Sequence, residues 1–262
     1  MVIILGLGFT GKRLARRLLA RGLPVSAVVR GGERFADLAD KGLKMAEMST
    51  DGRPPVSLPK EAVFFHSIPP LPPAENVALR TLIVALQPAR IVYISSTGVY
   101  GDRTIVDENT PAQSSDDRGR ARIEEEQWIS SGPWSSLILR AAAIYGPGRG
   151  VHSAIRAGKP PRSAGSGVVS RIHVDDLAAL ADAALFSKLQ GAWPVADDAP
   201  CPSSEIIAWC KGAPEEPAAN QASGRSVDGT KIRRLLNVEL VYQSWRTGVP
   251  ASLAEERELG AG

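Results

Sequence analysis

The stretch VIILGLGFTG at 2–11, followed by KRLARRLLARG, constrains this chain more than any other. An apolar run stops in Gly6-Leu7-Gly8-Phe9-Thr10-Gly11 and resumes as an amphipathic helical pattern. A strand, a glycine turn and a helix in that order make a phosphate-binding device. The first backbone N–H groups of the helix are unpaired and carry partial positive charge, so they attract a pyrophosphate. Gly6 permits the tight turn, Gly8 lets the backbone approach phosphate, and Gly11 lets the helix pack close to the strand. Phe9 and Thr10 stand between them. An ordinary glycine turn in an unrelated α/β protein is the alternative, but the flanking elements match the dinucleotide fingerprint.

The second strand, PVSAVVR at 24–30, ends in Arg30. An acid there suits the ribose 2′-hydroxyl of NAD, whereas an arginine suits the 2′-phosphate of NADP. The spacing therefore leans to NADP, with NAD open: Arg30 can equally be a solvated strand end, and Glu33 could serve the hydroxyl.

Further along, 34–42 reads as a short helix, 43–49 as a third strand, 51–60 as a Pro-rich loop and 61–68 as a buried strand. Ser67, Ile68 and Pro69 close that strand beside the phosphate site and are cofactor-lining candidates. His66, inside an apolar strand, reads as a packed, hydrogen-bonded histidine. A helix over 74–86 and a strand over 90–96 follow. This alternation predicts an α/β fold, a Rossmann-type doubly wound parallel sheet with ligands at the carboxyl ends of its strands.

Composition excludes several classes. With 262 residues, 44% hydrophobic and 23% charged, the chain is an ordinary globular protein able to bury a large core. A net charge of +3, not gathered in long runs, gives no case for nucleic acid. Cys201 and Cys210 fit neither a metal spacing nor a disulfide framework, which points to a reduced, cytoplasmic setting. The chain opens on a core strand without signal-peptide character, and no apolar run approaches membrane-spanning length.

From residue 90 the sequence resembles a family. RIVYISSTGVYGD at 90–102 is similar to the Ser-Ser-x-x-Val-Tyr-Gly segment of the extended short-chain dehydrogenase/reductases, the NAD-dependent epimerase/dehydratase family. SLILRAAAIYGPGRG at 136–150, RIHVDDLAALADAAL at 171–185 and DGTKIRRLLN at 228–237 resemble three further segments of that family, in the same order. The resemblance implies an NAD(P)-binding Rossmann domain over 1–150. A small substrate lobe over 151–262 would return elements to it. Ser95, Ala142 and Ala143 complete the cofactor-binding candidates.

The family's usual chemistry uses a Ser hydroxyl, a Tyr phenol and a Lys one helical turn later that lowers the phenol's pKa. Ser96 stands at the serine position. The Tyr-x-x-x-Lys pair is missing: in RGRARIEEEQW at 118–128, Arg118 falls at the tyrosine position and Arg122 at the lysine position. Arginine has five donors, no acceptor and a permanent charge, so it cannot shuttle a proton. Two guanidinium groups on one helix face can instead hold a carboxylate or phosphate, and Arg149 and Arg171 are further contributors. The alternative is a solvated charged face paired as Arg120–Glu124 and Arg122–Glu126. Tyr145, in the Leu-Arg segment, joins Ser96, Arg118 and Arg122 as a catalytic candidate, although such a tyrosine more often packs. Asp102, Asp107, Glu108 and His173 have no partner that spacing can place.

In the lobe, Asp175 is expected to cap a helix over 175–187 and Ser203 one over 203–210. The residues 152–170 and 212–229 read as loops, and the last helix as 251–260. The resulting expectation is an NADP- or NAD-dependent oxidoreductase or epimerase-like enzyme. It would act on a small substrate, anionic if the arginines face the cleft, as a monomer or homodimer. A non-catalytic NADP(H)-binding sensor is the alternative.

Overall fold

The structure, a computed structural model, describes residues 1–29, 35–55, 58–160, 167–213 and 223–260. Arg30 and Glu33, the two residues weighed for cofactor choice, lie outside the described residues. The chain divides into two compact units. The first comprises Met1–Gly101, Ala112–Arg140 and Ala178–Trp193; the second comprises Asp102–Pro111, Ala141–Leu177 and Pro194–Gly262.

The first unit is built on β1 (Val2–Leu5), β2 (Val25–Val29), β3 (Lys44–Glu47), β4 (Val63–His66), β5 (Arg90–Ser96), β7 (Ser135–Ala141) and β11 (Gly191–Val195). They form one seven-stranded sheet in the order β11-β7-β5-β4-β1-β2-β3. The pairs β1–β2, β2–β3, β1–β4 and β4–β5 are parallel. The order reverses between β1 and β4, where Leu5 pairs His66. Strands buried on both faces read as continuous apolar runs, and VIIL and VSAVV are buried throughout. Helix α1 (Phe9–Ala20) buries Leu14, Ala15 and Leu18. Helix α3 (Pro73–Leu86) starts with a proline whose missing N–H costs nothing there, and it buries Leu79, Leu82, Ile83 and Leu86. These side chains meet Ile3, Leu5, Phe64, Ile91, Tyr93 and Ile138 in the main core. The short α2 (Ala36–Ala39) runs up to a turn at Gly42, whose φ of 94° favours glycine.

Helix α4 (Asp117–Ser131) departs from this pattern. Its buried residues are Gly119, Glu125, Glu126 and Ile129. Asp116 caps it, its side chain accepting from the Gly119 N–H at 2.9 Å.

The second unit pairs β10 (Arg171–His173) with β8 (Ala143–Tyr145). It also holds a four-stranded sheet in the order β12 (Cys201–Pro202), β9 (Val168–Val169), β13 (Gly224–Val227) and β6 (Ile105–Val106). Its helices are α5 (Val151–Arg156), α7 (Ser203–Cys210), α8 (Thr230–Leu236) and α9 (Trp245–Gly260), and α6 (Val174–Leu185) crosses from this unit into the first.

Sequence pattern and structure differ at identifiable places. Strands of two to four residues, β6, β9 and β13, fall where loops are expected, because such pairing is too short to leave a period. Helix α6 begins at Val174, so Asp175 lies in its first turn and not at its cap. Ser203 does not cap α7: its hydroxyl accepts from Arg171 at 2.8 Å, and Pro202 takes the cap position. Helix α9 starts six residues before the expected 251 and carries Pro250 in its sixth position.

Candidate functional site

The candidate site lies in the first unit, where β1, β4 and β5 end. Gly6 has φ +95°, and a Cβ there would meet Ile68 Cγ1 at 2.9 Å and Ser67 Oγ at 3.0 Å. A Cβ on Gly11 would collide with the Gly6 carbonyl oxygen, so these two glycines let helix and turn interlock. Gly8, the N-cap of α1, is different: it is exposed, and a Cβ there meets nothing within 4 Å. No side chain caps α1, and no acid stands in its first turn. Its leading N–H groups therefore keep their affinity for an anion. Ser67 Oγ donates to the Gly6 carbonyl at 2.8 Å and ties the β4 end to the turn. Phe9 and Ile68 are half-buried, Thr10 is buried and Pro69 is exposed. A glycine cradle with an uncapped helix start, at the strand-order reversal, fits a dinucleotide pyrophosphate.

At the end of β5, Ser96 Oγ accepts from the Gly98 N–H at 3.1 Å and caps the 3-10 turn Thr97–Tyr100. Ser95 is buried, and its hydroxyl lacks a hydrogen-bond partner among the described residues. Helix α4 packs on β5 and on that turn. Arg118 is exposed and Arg122 half-buried. The expected pairs along α4 do not form as written. Arg120 pairs with Asp117, and Glu126 pairs with Arg140 at 2.7 Å.

Arg122 is close enough to the buried Tyr93 phenol to favour its ionised form, but the hydroxyl makes no hydrogen bond among the described residues, and the sequence did not single out this tyrosine. Burial dominates there. It drives the Tyr93 pKa far above 10.0, Glu125 and Glu126 push the same way, and Arg122 only opposes them. Tyr93 is thus not poised to release a proton near neutrality. Next to it, Glu125 is buried between Arg80 at 2.6 Å and His66 at 3.6 Å. Burial raises its pKa, but those two partners win and hold it below 4.5. His66 is packed as expected, its ring 4.9 Å from Tyr93 and its Nδ1 accepting from the Ile68 N–H at 3.3 Å.

The remaining candidates sit in the second unit. Tyr145 is buried, donates to the Ser244 carbonyl at 3.3 Å and stands edge-on to His152 and His173. Burial, then Asp197 and Asp176, push its pKa up. Ala142 is buried and donates to Val195, and the exposed Ala143 donates to Ser170. Arg171 is consumed in structure: it is 4% exposed and donates to Val169, Cys201 and Ser203, so it adds nothing to an anion site. His173 bonds Ser252 at 3.1 Å, Asp107 accepts from Asn109 and Thr110, and Glu108 pairs with Lys231. Cys201 and Cys210 are free.

Among the described residues there is no group of three or more His, Cys, Asp or Glu able to hold a metal. No helix among them is long and apolar enough to cross a membrane. A glycine-turned βα unit at the reversal of a parallel sheet defines the class, a Rossmann-type dinucleotide-binding fold. No family model matches the chain. It is 30% identical, over 293 aligned positions, to the 3-diazoavenalumate denitrifying reductase of a Streptomyces species, spanning 92% of this chain and 96% of that protein. The structure of a putative NAD-dependent epimerase/dehydratase from Methylobacillus flagellatus superposes with TM-score 0.75 at 24% identity, over 98% of each chain. The Bordetella bronchiseptica enzyme WbmG in complex with NAD superposes with TM-score 0.74 at 16% identity, over 99% of this chain and 94% of that one. The chain belongs to the NAD-dependent epimerase/dehydratase family, the extended short-chain dehydrogenase/reductases.

Proposed function

We propose that this protein is a nicotinamide-dependent reductase of a small carboxylate-bearing substrate whose acceptor group needs no proton from the enzyme. The observation that carries this reading is the stripe on α4. Arg118 and Arg122 occupy the positions of the proton-transferring pair, and the nearby Tyr93 is held protonated by burial. When bound, the nicotinamide would supply hydride.

Reduction of a carbonyl leaves an alkoxide, which must take a proton, and that is the work of a phenol with a lowered pKa. Hydride arriving at the terminal nitrogen cancels the positive charge of an aryl diazonium, and turns a neutral quinonoid diazo group into a phenolate that is stable without a proton from the enzyme. The resulting aryl diazene, Ar–N=N–H, then loses N2 and leaves Ar–H. The Streptomyces relative is named for a reductase that removes nitrogen from a diazo carboxylate, and this favours the same class here. Gly6, Gly8, Phe9, Thr10, Gly11, Ser67, Ile68 and Pro69 would hold the pyrophosphate and line the cofactor, with Ser95 beside the end of β5. Ser96 would position the substrate. Arg118 and Arg122 would take its carboxylate through charge-assisted hydrogen bonds. Arg30 favours NADPH over NADH through the 2′-phosphate.

The test is nucleotide fluorescence titration with NADPH and NADH, on the parent and on Arg30→Ala, followed by turnover. Aryl diazo carboxylates and simple aldehydes are compared as oxidants. Selective oxidation of bound nucleotide by the diazo compounds supports the reading. Tight nucleotide binding with no oxidation by either set favours the alternative, a nucleotide-binding regulator, because burial holds the Tyr93 phenol away from ionisation.

A further inference from the structure

The seat of α4 is polar where a helix packed on a sheet is normally apolar. Arg118, Arg122, Glu125, Glu126 and Ile129 follow one stripe at spacings of three and four. The lower half of that stripe is buried, and Ile129 is its only apolar member. Glu126 is gripped by the Arg140 fork through Nε at 3.2 and 3.1 Å and Nη2 at 2.7 Å. The opposite edge of the Arg140 guanidinium donates from Nη1 to the Tyr100 hydroxyl at 3.3 Å. The Arg140 and Glu126 side chains are only 12% and 6% exposed. Glu125, one residue earlier, is held by Arg80 of α3.

Buried ion pairs lose much of their attraction to desolvation, so an apolar pair of similar volume would support the fold about as well. What a forked pair supplies is direction: two parallel N–H···O bonds accept one orientation of the carboxylate and hence one rotation of the helix. Arg122 is one turn before Glu126 on the same stripe, so that rotation fixes where Arg122 stands.

We infer that Glu126 and Arg140 form a rotational lock on α4, and that Glu126 is a positioning residue for the Arg122 anion site. The inference rests on the proposed carboxylate-binding role of Arg122. Helix α1 and the glycine cradle do not depend on the lock, which separates substrate affinity from nucleotide affinity.

The experiment measures the Kd of cinnamate, a plain aryl carboxylate, in NADPH-loaded protein, and the Kd of NADPH itself. The proteins are the parent, Glu126→Gln, Glu126→Asp, the exchange Glu126→Arg with Arg140→Glu, and Arg122→Ala. The lock predicts that Glu126→Gln weakens cinnamate about tenfold, leaves NADPH within about twofold, and is partly rescued by Glu126→Asp and by the exchange. Should Glu126→Gln fail to fold, Glu126→Asp alone reads the same split, since it keeps the charge and shortens the reach. Cinnamate affinity that survives in the Glu126 variants but is lost in Arg122→Ala overturns the lock while leaving the anion site standing. Unchanged affinity in Arg122→Ala overturns the anion site, and the lock then has nothing to position.

Discussion

Gly11 lies against the Gly6 carbonyl so closely that its α-carbon has no room for a side chain, whereas Gly8, three residues earlier, faces open space. The two glycines therefore fail differently when substituted. Gly11→Ala should force helix and turn apart, costing on the order of 1–3 kcal/mol of stability by overpacking. Gly8→Ala should fold with near-parent stability and weaken nucleotide binding, because its Cβ occupies the approach to the pyrophosphate. Thermal melts beside fluorescence titration distinguish the two. Equal loss of stability in both variants contradicts the assignment.

Asp197 makes stability depend on pH. Burial raises its pKa from 3.8 to about 7, against the pull of the Ala199 N–H, Arg171 and Arg233 and with the push of Asp198. Between those values the folded chain holds a proton that the unfolded chain releases. This contribution is greatest below about pH 4 and is lost as pH rises through about 7. Asp197→Asn keeps the shape without the charge. Its Tm should exceed that of the parent at pH 8, and the difference should shrink toward pH 5. A gap that is constant across that range excludes the titration.

Tyr145 can be tested as a proton carrier. Its hydroxyl is buried, donates to Ser244 and is driven away from ionisation. Tyr145→Phe should cost about 1 kcal/mol, the worth of one neutral hydrogen bond, and leave the turnover rate and its pH profile unchanged. A large fall in kcat with intact stability would make it a catalytic residue instead.

Glu125 should be costly to neutralise alone. Glu125→Ala leaves the buried His66 and the Arg80 guanidinium without their carboxylate and should lose about 3–5 kcal/mol, the usual cost of breaking one side of a buried pair. Adding Arg80→Ala should recover part of that loss. Denaturant unfolding of the two single variants and the double variant gives the coupling. Strict additivity would mean that the pair is not an interaction.

The glycine turn, the apolar strands and the helix over 118–128 were legible in the sequence because each rests on neighbours within about one helical turn or on a strand's own burial. The run RIVYISS is β5 residue for residue, and SSEIIAWC is α7. What the sequence left open depends on partners far along the chain. Glu126 could pair with Arg122 one turn away, and only the sheet behind α4 brings Arg140 to it. Arg171 looked available for an anion until β9, β12 and α7 closed around it. Tyr93 looked like one apolar strand residue among several, and its meeting with Arg122 exists only once α4 lies on β5. Local pattern determines that a residue is helical, buried or turned. Which charge a buried carboxylate answers, and so which arginine stays available for a ligand, is decided by long-range packing, because Coulomb attraction and desolvation follow distance and burial, not sequence order.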